Sequence, residues 1–210
     1  MRVEFGALAL AFLGGMVAQD ALRPEEVVWK DYGPDPMASP EFMQDWMASA
    51  QPTEAHRELA EGVGTYAVDM KMWMSPEAEE PMPGEAVATR RTILGGRYTL
   101  EEFDSTFMGM PYQGILIEGY DNLSGEYLTI WMDTMSTWPA ISRGKKQEDG
   151  SVTMSGVIKD VMTPGGRPTR AVITGDERES TMTMFDSLPG GGDFRCMELR
   201  YTRREAPAGE

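Results

Sequence analysis

A chain of 210 residues with 41% hydrophobic and 25% charged residues has the balance of a globular protein, which excludes a disordered polymer or a bundle of membrane helices. Its formal net charge of -15 repels phosphate backbones and anionic lipid headgroups, so nucleic acid is not an expected partner. With one cysteine, Cys196, and one histidine, His56, an intramolecular disulfide is excluded, and no bound zinc, copper, haem or other cofactor is expected.

The N-terminus runs from Arg2 through an apolar stretch, Phe5 to Leu13, to Ala18 and then polar Gln19-Asp20. That is the order of a secretory signal peptide over residues 1–18, although Glu4 and Met16 depart from the usual pattern. The apolar run is shorter than the roughly 17 residues a membrane-crossing helix needs. The expectation is therefore a periplasmic or secreted protein with no membrane span after processing. No cysteine lies near the cut, which excludes lipoprotein-type attachment.

Residues 19–55 read as an N-terminal arm carrying a short helix. Ser39 can cap it, Pro40 suits its first position, and Phe42, Met43, Trp46 and Met47 fall on one face. A second short helix starts from Thr53 as cap, carries Ala55, His56 and Leu59, and stops at Gly62.

Beyond Gly62 the period changes to two. Tyr66, Val68, Met70, Met72 and Met74 alternate with Thr65, Ala67, Asp69 and Lys71, a half-buried strand. Further strands read at Val87–Leu94, Arg97–Phe107, Gln113–Tyr120, Glu126–Thr134, Ser151–Asp160, Thr169–Gly175, Thr181–Asp186 and Phe194–Thr202, with Gly, Pro, Asn and Asp in the connections. About nine or ten short strands with no helix between them predict an all-β domain over residues 56–204, an antiparallel up-and-down barrel whose closure removes exposed edges. The runner-up is an open two-sheet sandwich, which the same pattern permits. Residues 205–210 read as a disordered tail.

Gly95-Gly96-Arg97-Tyr98, Gly119-Tyr120-Asp121-Asn122, Trp131-Met132-Asp133 and Met197-Glu198-Leu199-Arg200-Tyr201-Thr202-Arg203 resemble motifs of a bacterial family known as domain of unknown function 1579. His56-Arg57-Glu58-Leu59 followed by Gly64-Thr65-Tyr66 is similar to its opening, with Tyr where the family more often has Trp. The likeness runs from about His56 to Arg203 and implies a lipocalin-like barrel with a cavity. It implies no reaction, ligand or catalytic residue.

The residues themselves suggest where a ligand would sit. Trp131 and Asp133, two apart, share one side of a strand, as an aromatic wall and a carboxylate aimed into a cavity would; the structural alternative is a core Trp and an Asp that accepts local hydrogen bonds. A turn symmetric about Leu123 would set Ile115 opposite Trp131 and Gln113 opposite Asp133, a register that one bulge would reverse. Asp121, Asn122 and Gly125 read as turn residues. Among the strand-borne charges Arg90, Arg91, Glu102, Glu118 and Asp176, at least one or two should point inward and most should face solvent. Met70, Met72 and Met74 read as adaptable core or lining rather than a copper ladder.

There is no Gly-x-Ser-x-Gly elbow, Gly190-Gly191-Gly192 lacks the ending of a phosphate loop, and no carboxylate pair stands out, so no catalytic residue is nominated. The candidate cavity-lining residues are Tyr66, Met70, Arg90, Gln113, Trp131 and Asp133. They suit binding of a small apolar or amphipathic molecule. A hydrolase or isomerase using inward carboxylates, and a structural barrel filled by its own side chains, are the alternatives.

Overall fold

The computed structural model describes residues 29–205. The proposed signal peptide over 1–18, the start of the arm and all but the first residue of the 205–210 tail lie outside them. The chain divides at Phe42 and Met43 into two units. In the first, Tyr32 meets Phe42 edge-to-face at 5.2 Å and Lys30 pairs with Glu41 at 3.0 Å.

Helix α1 (Pro40–Ser49) begins as its cap predicts, the Phe42 amide donating to Ser39 Oγ at 3.3 Å. Helix α2 (Glu54–Glu61) has Thr53 as cap and ends at Gly62. His56 supplies the reciprocal half of the capping box: its Nδ1 accepts from the Thr53 amide at 3.0 Å.

Ten antiparallel strands follow: β1 (Gly64–Met72), β2 (Met82–Ile93), β3 (Tyr98–Phe107), β4 (Met110–Asp121), β5 (Glu126–Asp133), β6 (Ala140–Lys146), β7 (Val152–Ile158), β8 (Arg167–Gly175), β9 (Glu179–Ser187) and β10 (Asp193–Arg203). Each pairs with its neighbours in sequence, and β1 pairs with β10 to close the barrel. The open sandwich is thereby excluded. Closure brings Tyr66 opposite Arg203, whose guanidinium stands 5.9 Å from the Tyr66 ring centre and donates to the carbonyls of Glu61 and Val63.

Strand β6 has no counterpart in the sequence reading. Its segment, Ala140-Ile141-Ser142-Arg143-Gly144-Lys145-Lys146, shows no apolar alternation because its inward positions are Ala140, Ser142 and Gly144. β2 begins earlier than Val87, since Pro83 and Gly84 interrupt its pattern yet pair with Lys71 and Met70. Between β2 and β3, Leu94, Gly95 and Gly96 all have positive φ, which glycine adopts without steric cost.

In an up-and-down barrel successive connections alternate between the two ends. α2 packs against β3 and β4 at the end carrying the β2–β3 and β4–β5 turns. Asn122 fastens this closed end, its Nδ2 donating to the carbonyls of Ser49 and Gln51 at 2.9 and 2.8 Å, beside the Asp121 and Gly125 turn geometry expected of those residues.

Candidate functional site

Pairing partners across a barrel share a face, so the register assigns the inward side chains. On the arc β10-β1-β2-β3 the buried ones are Leu199, Tyr201, Tyr66, Val68, Met70, Ala86, Ala88, Thr99, Glu101 and Phe103. Burial alternates along β1 and β3 as a sheet with one dry face requires. On β5 and β9 it does not: apart from exposed Met132 and Glu179, inward and outward positions are alike half-buried. The lumen beside β5–β9 is thus reached by solvent. Its lining includes Trp131 and Thr129 on β5, Ser142 on β6, Thr169 and Ala171 on β8, and Met182 and Met184 on β9.

The closed end of the packed arc holds a charge cluster. Arg90 donates to Glu101 Oε2 through Nη2 at 2.6 Å and Nε at 3.1 Å, and its Nε lies 3.6 Å from Glu118 Oε2. Thr99 Oγ1 donates to Glu118 and the Tyr201 hydroxyl to Glu101, while the Arg90 guanidinium stands 5.6 and 5.9 Å from the ring centres of Tyr66 and Tyr201. Burial pushes the Glu101 carboxyl above the ordinary carboxylate range, against the pull of Arg90. Desolvation acts to lower the Arg90 pKa, but Glu118 and Glu101 together raise it, so the guanidinium stays charged. Glu101 is only 1% exposed, whereas Arg90 and Glu118 are about a fifth exposed.

Trp131 and Asp133 lie at the boundary of the two arcs, on one face as their spacing predicts, and the register turns that face inward. Trp131 Nε1 donates to Asp133 Oδ2 at 2.7 Å, and the Tyr112 hydroxyl donates to the same oxygen at 3.1 Å. The Met135 amide donates to Asp133 Oδ1 at 2.8 Å. Burial, with the adjacent Asp133 carboxylate, raises the Tyr112 phenol, keeping it a neutral donor. Phe103 meets the Trp131 ring edge-to-face at 5.6 Å. Asp133 therefore anchors two aromatic side chains, the local-acceptor alternative, and Trp131 presents the ring.

Of the remaining expected site residues, Tyr66 and Met70 belong to the dry core and Arg90 to the charge cluster. Gln113 is on the outer face, where its amide donates to Asp104 at 2.9 Å beside an open surface groove of about 540 Å³. The expected hairpin register is one residue off. Asp121 pairs with Glu126 around a four-residue turn, so Trp131 faces Leu116 and Asp133 faces Gly114, not Ile115 and Gln113. Gly114 has a reason to be glycine: a Cβ there would sit 2.2 Å from the Trp131 ring. Glu118 is inward as one of the charged candidates, whereas Glu102 is exposed and its neighbour Glu101 points in.

Sequence reasoning missed Tyr112, Glu101 and the lining of β6, β8 and β9. Tyr112 precedes the strand read from Gln113, and small polar inward residues leave no hydrophobic alternation to detect. At the open end, Arg167 makes a two-pronged contact with Asp186 at 2.7 Å and a further one with Asp160, clasping the β7–β8 connection. Hydrogen bonding to Arg167 holds the Asp160 carboxyl down at about 2.

Among the described residues no group of three His, Cys, Asp or Glu side chains could hold a metal ion, and no helix is long and apolar enough to cross a membrane. No curated protein matches the chain. Residues 51–203 match the family described as protein of unknown function (DUF1579), covering α2 and every strand, and the chain belongs to that family.

Proposed function

We propose that this protein binds a small, partly apolar molecule in the solvent-reached arc of its lumen. One observation carries the reading: the inward side chains of β5 and β9 stay half-buried, while those of β1 and β3 are dry. The lining suits such a guest. Met182 and Met184 adapt to varied apolar shapes, Trp131 offers a flat ring, and Ser142 and Thr169 supply hydroxyls.

A catalytic reading has one observation in its favour, the raised carboxyl of Glu101 beside the Tyr201 hydroxyl. Its burial argues against it, because a general acid must reach the substrate.

The probe for the lumen is the neutral fluorophore N-phenyl-1-naphthylamine, which the net negative charge does not repel. Emission should rise saturably with the native chain. Ala171 faces Met154 on one side and Met184 on the other, so Ala171→Phe fills the arc and should weaken binding at least tenfold, with the milder Ala171→Val in between. No saturable binding by the native chain, or unchanged affinity in both folded variants, overturns the reading.

We place this activity outside the cytoplasm, in the periplasm or beyond, on the strength of the Arg2, Phe5–Leu13 and Ala18 order. Protein recovered from the exporting cell should have the mass of a chain starting near Gln19. An intact Met1 would count against export.

A further inference from the structure

The end of the barrel opposite α2 carries the five connections β1–β2, β3–β4, β5–β6, β7–β8 and β9–β10. Four of them raise large apolar side chains into water: Met74 is 69% exposed, Met108 76%, Val161 99% and Met162 78%, with Met135 and Trp138 exposed beside them. At the α2 end the exposed large apolar residues of the described strand connections are Leu94 and Leu123. The tips surround the mouth of the lumen and are separated by polar or small residues such as Ser75, Thr134, Thr137 and Gly165.

On or next to the same connections are aromatic rings that each carry a cation. Lys159 Nζ is 3.8 Å from the Trp138 ring centre, and the guanidinium of Arg195 is 4.0 Å from that of Trp73. Exposed apolar tips in company with Trp, Lys and Arg are the residue types that a membrane interface selects. A protein partner would instead favour a contiguous apolar patch, which separated tips around an opening do not provide. The strand faces outside the barrel bear Asp69, Lys71, Asp104, Glu198 and Arg200 on β1, β3 and β10, and exposed Ile115 and Met132 on β4 and β5. Charge selects the kind of surface. Glu77, Glu79 and Glu80 flank Met74, and the whole chain is at -15, so an anionic bilayer would repel it.

We propose that the apolar rim docks on a neutral or zwitterionic lipid surface, with the mouth of the lumen facing the bilayer. The docking requires no occupant in the lumen, so it stands or falls separately from the binding of N-phenyl-1-naphthylamine.

The test is flotation of the full chain with phosphatidylcholine vesicles and with phosphatidylglycerol vesicles. The protein should float with the first and at least tenfold less with the second. A variant carrying Met74→Ser, Met108→Ser, Val161→Ser and Met162→Ser should lose at least tenfold of the phosphatidylcholine binding. The smaller Val161→Ser, Met162→Ser pair, at two of the most exposed positions, should lose part of it with an unchanged melt. Tryptophan fluorescence in brominated phosphatidylcholine vesicles should be quenched, and less so in Trp138→Phe. Binding that survives both rim variants, or that prefers phosphatidylglycerol, overturns the proposal. So does sedimentation showing a dimer without vesicles that the rim variants dissolve, which would assign the rim to a second copy of the chain.

Discussion

Two arcs of the same barrel wall, β10-β1-β2-β3 and β6-β7-β8-β9, have the same pairing geometry but different interiors. The first turns Tyr66, Val68, Met70, Phe103, Leu199 and Tyr201 inward, and these meet across Ala86 and Ala88, whose small size admits their bulk. The second turns Ala140, Ser142, Gly144, Gly156, Thr169 and Ala171 inward beside the larger Val152, Ile173, Met182 and Met184, and among the described residues of its strands only Met154 is buried. Closure fixes the diameter of the ring, so the volume of the inward side chains decides where the interior is full. The sheet is a constant and the lining is the variable. The proposed binding belongs to the arc whose inward side chains are less deeply buried.

The comparison can be broken by truncating one inward residue from each arc. Phe103→Ala should lower stability by about 4 kcal/mol, because the ring is 3% exposed and supports both Tyr112 and Trp131. Met70→Ala, in the same dry core, should cost about 3 kcal/mol. Met184→Ala, half-buried in the open arc, should cost only about 1 kcal/mol, since the atoms it removes already touch water. Chemical denaturation of the three variants reads these values. Equal losses for Met70→Ala and Met184→Ala would show that the second arc is as dry as the first.

A smaller effect sharpens the contrast between the two ends of the barrel. His56 is buried under the closed end beside Tyr120, and desolvation lowers its pKa, partly offset by its contact with the Tyr120 backbone. A base with a depressed folded pKa contributes stability that is complete above its unfolded value, about 6.5, and is lost as pH falls below it. A protonated ring also cannot accept the Thr53 amide at Nδ1. Stability of the native protein should therefore decline from about pH 7 to pH 5. His56→Gln keeps an acceptor for the capping box and removes the titration, so its stability should be flat over that interval. Denaturant midpoints measured across the range decide it, and a native protein with no decline would refute the assignment.

How much of this could be read without the structure depends on what each residue faces. The strand with Tyr66, Val68 and Met70 was plain because one of its faces is dry and the other wet, which writes a period of two into the residues. β6 was invisible for the opposite reason: Ala140, Ser142 and Gly144 line a wet lumen, so neither face demands apolar side chains. That Trp131 and Asp133 share a face followed from spacing alone, but which face and which partners did not. A shift of one residue in the β4–β5 turn exchanged Gln113 for Gly114 and Ile115 for Leu116.

By itself the sequence determined the all-β class, the two helix caps at Ser39 and Thr53, and the turn at Asp121 to Gly125, because each depends on neighbours along the chain. Tertiary structure decided the rest. Glu101 rather than Glu102 became the buried carboxylate because the β2–β3 register sets it opposite Arg90, and Asp133 became an anchor because Tyr112 arrives from another strand. The ring of Met74, Met108, Met135, Val161 and Met162 also exists only in three dimensions. Barrel topology gathers at one end tips that are scattered along the chain, and no local pattern records which loops share an end.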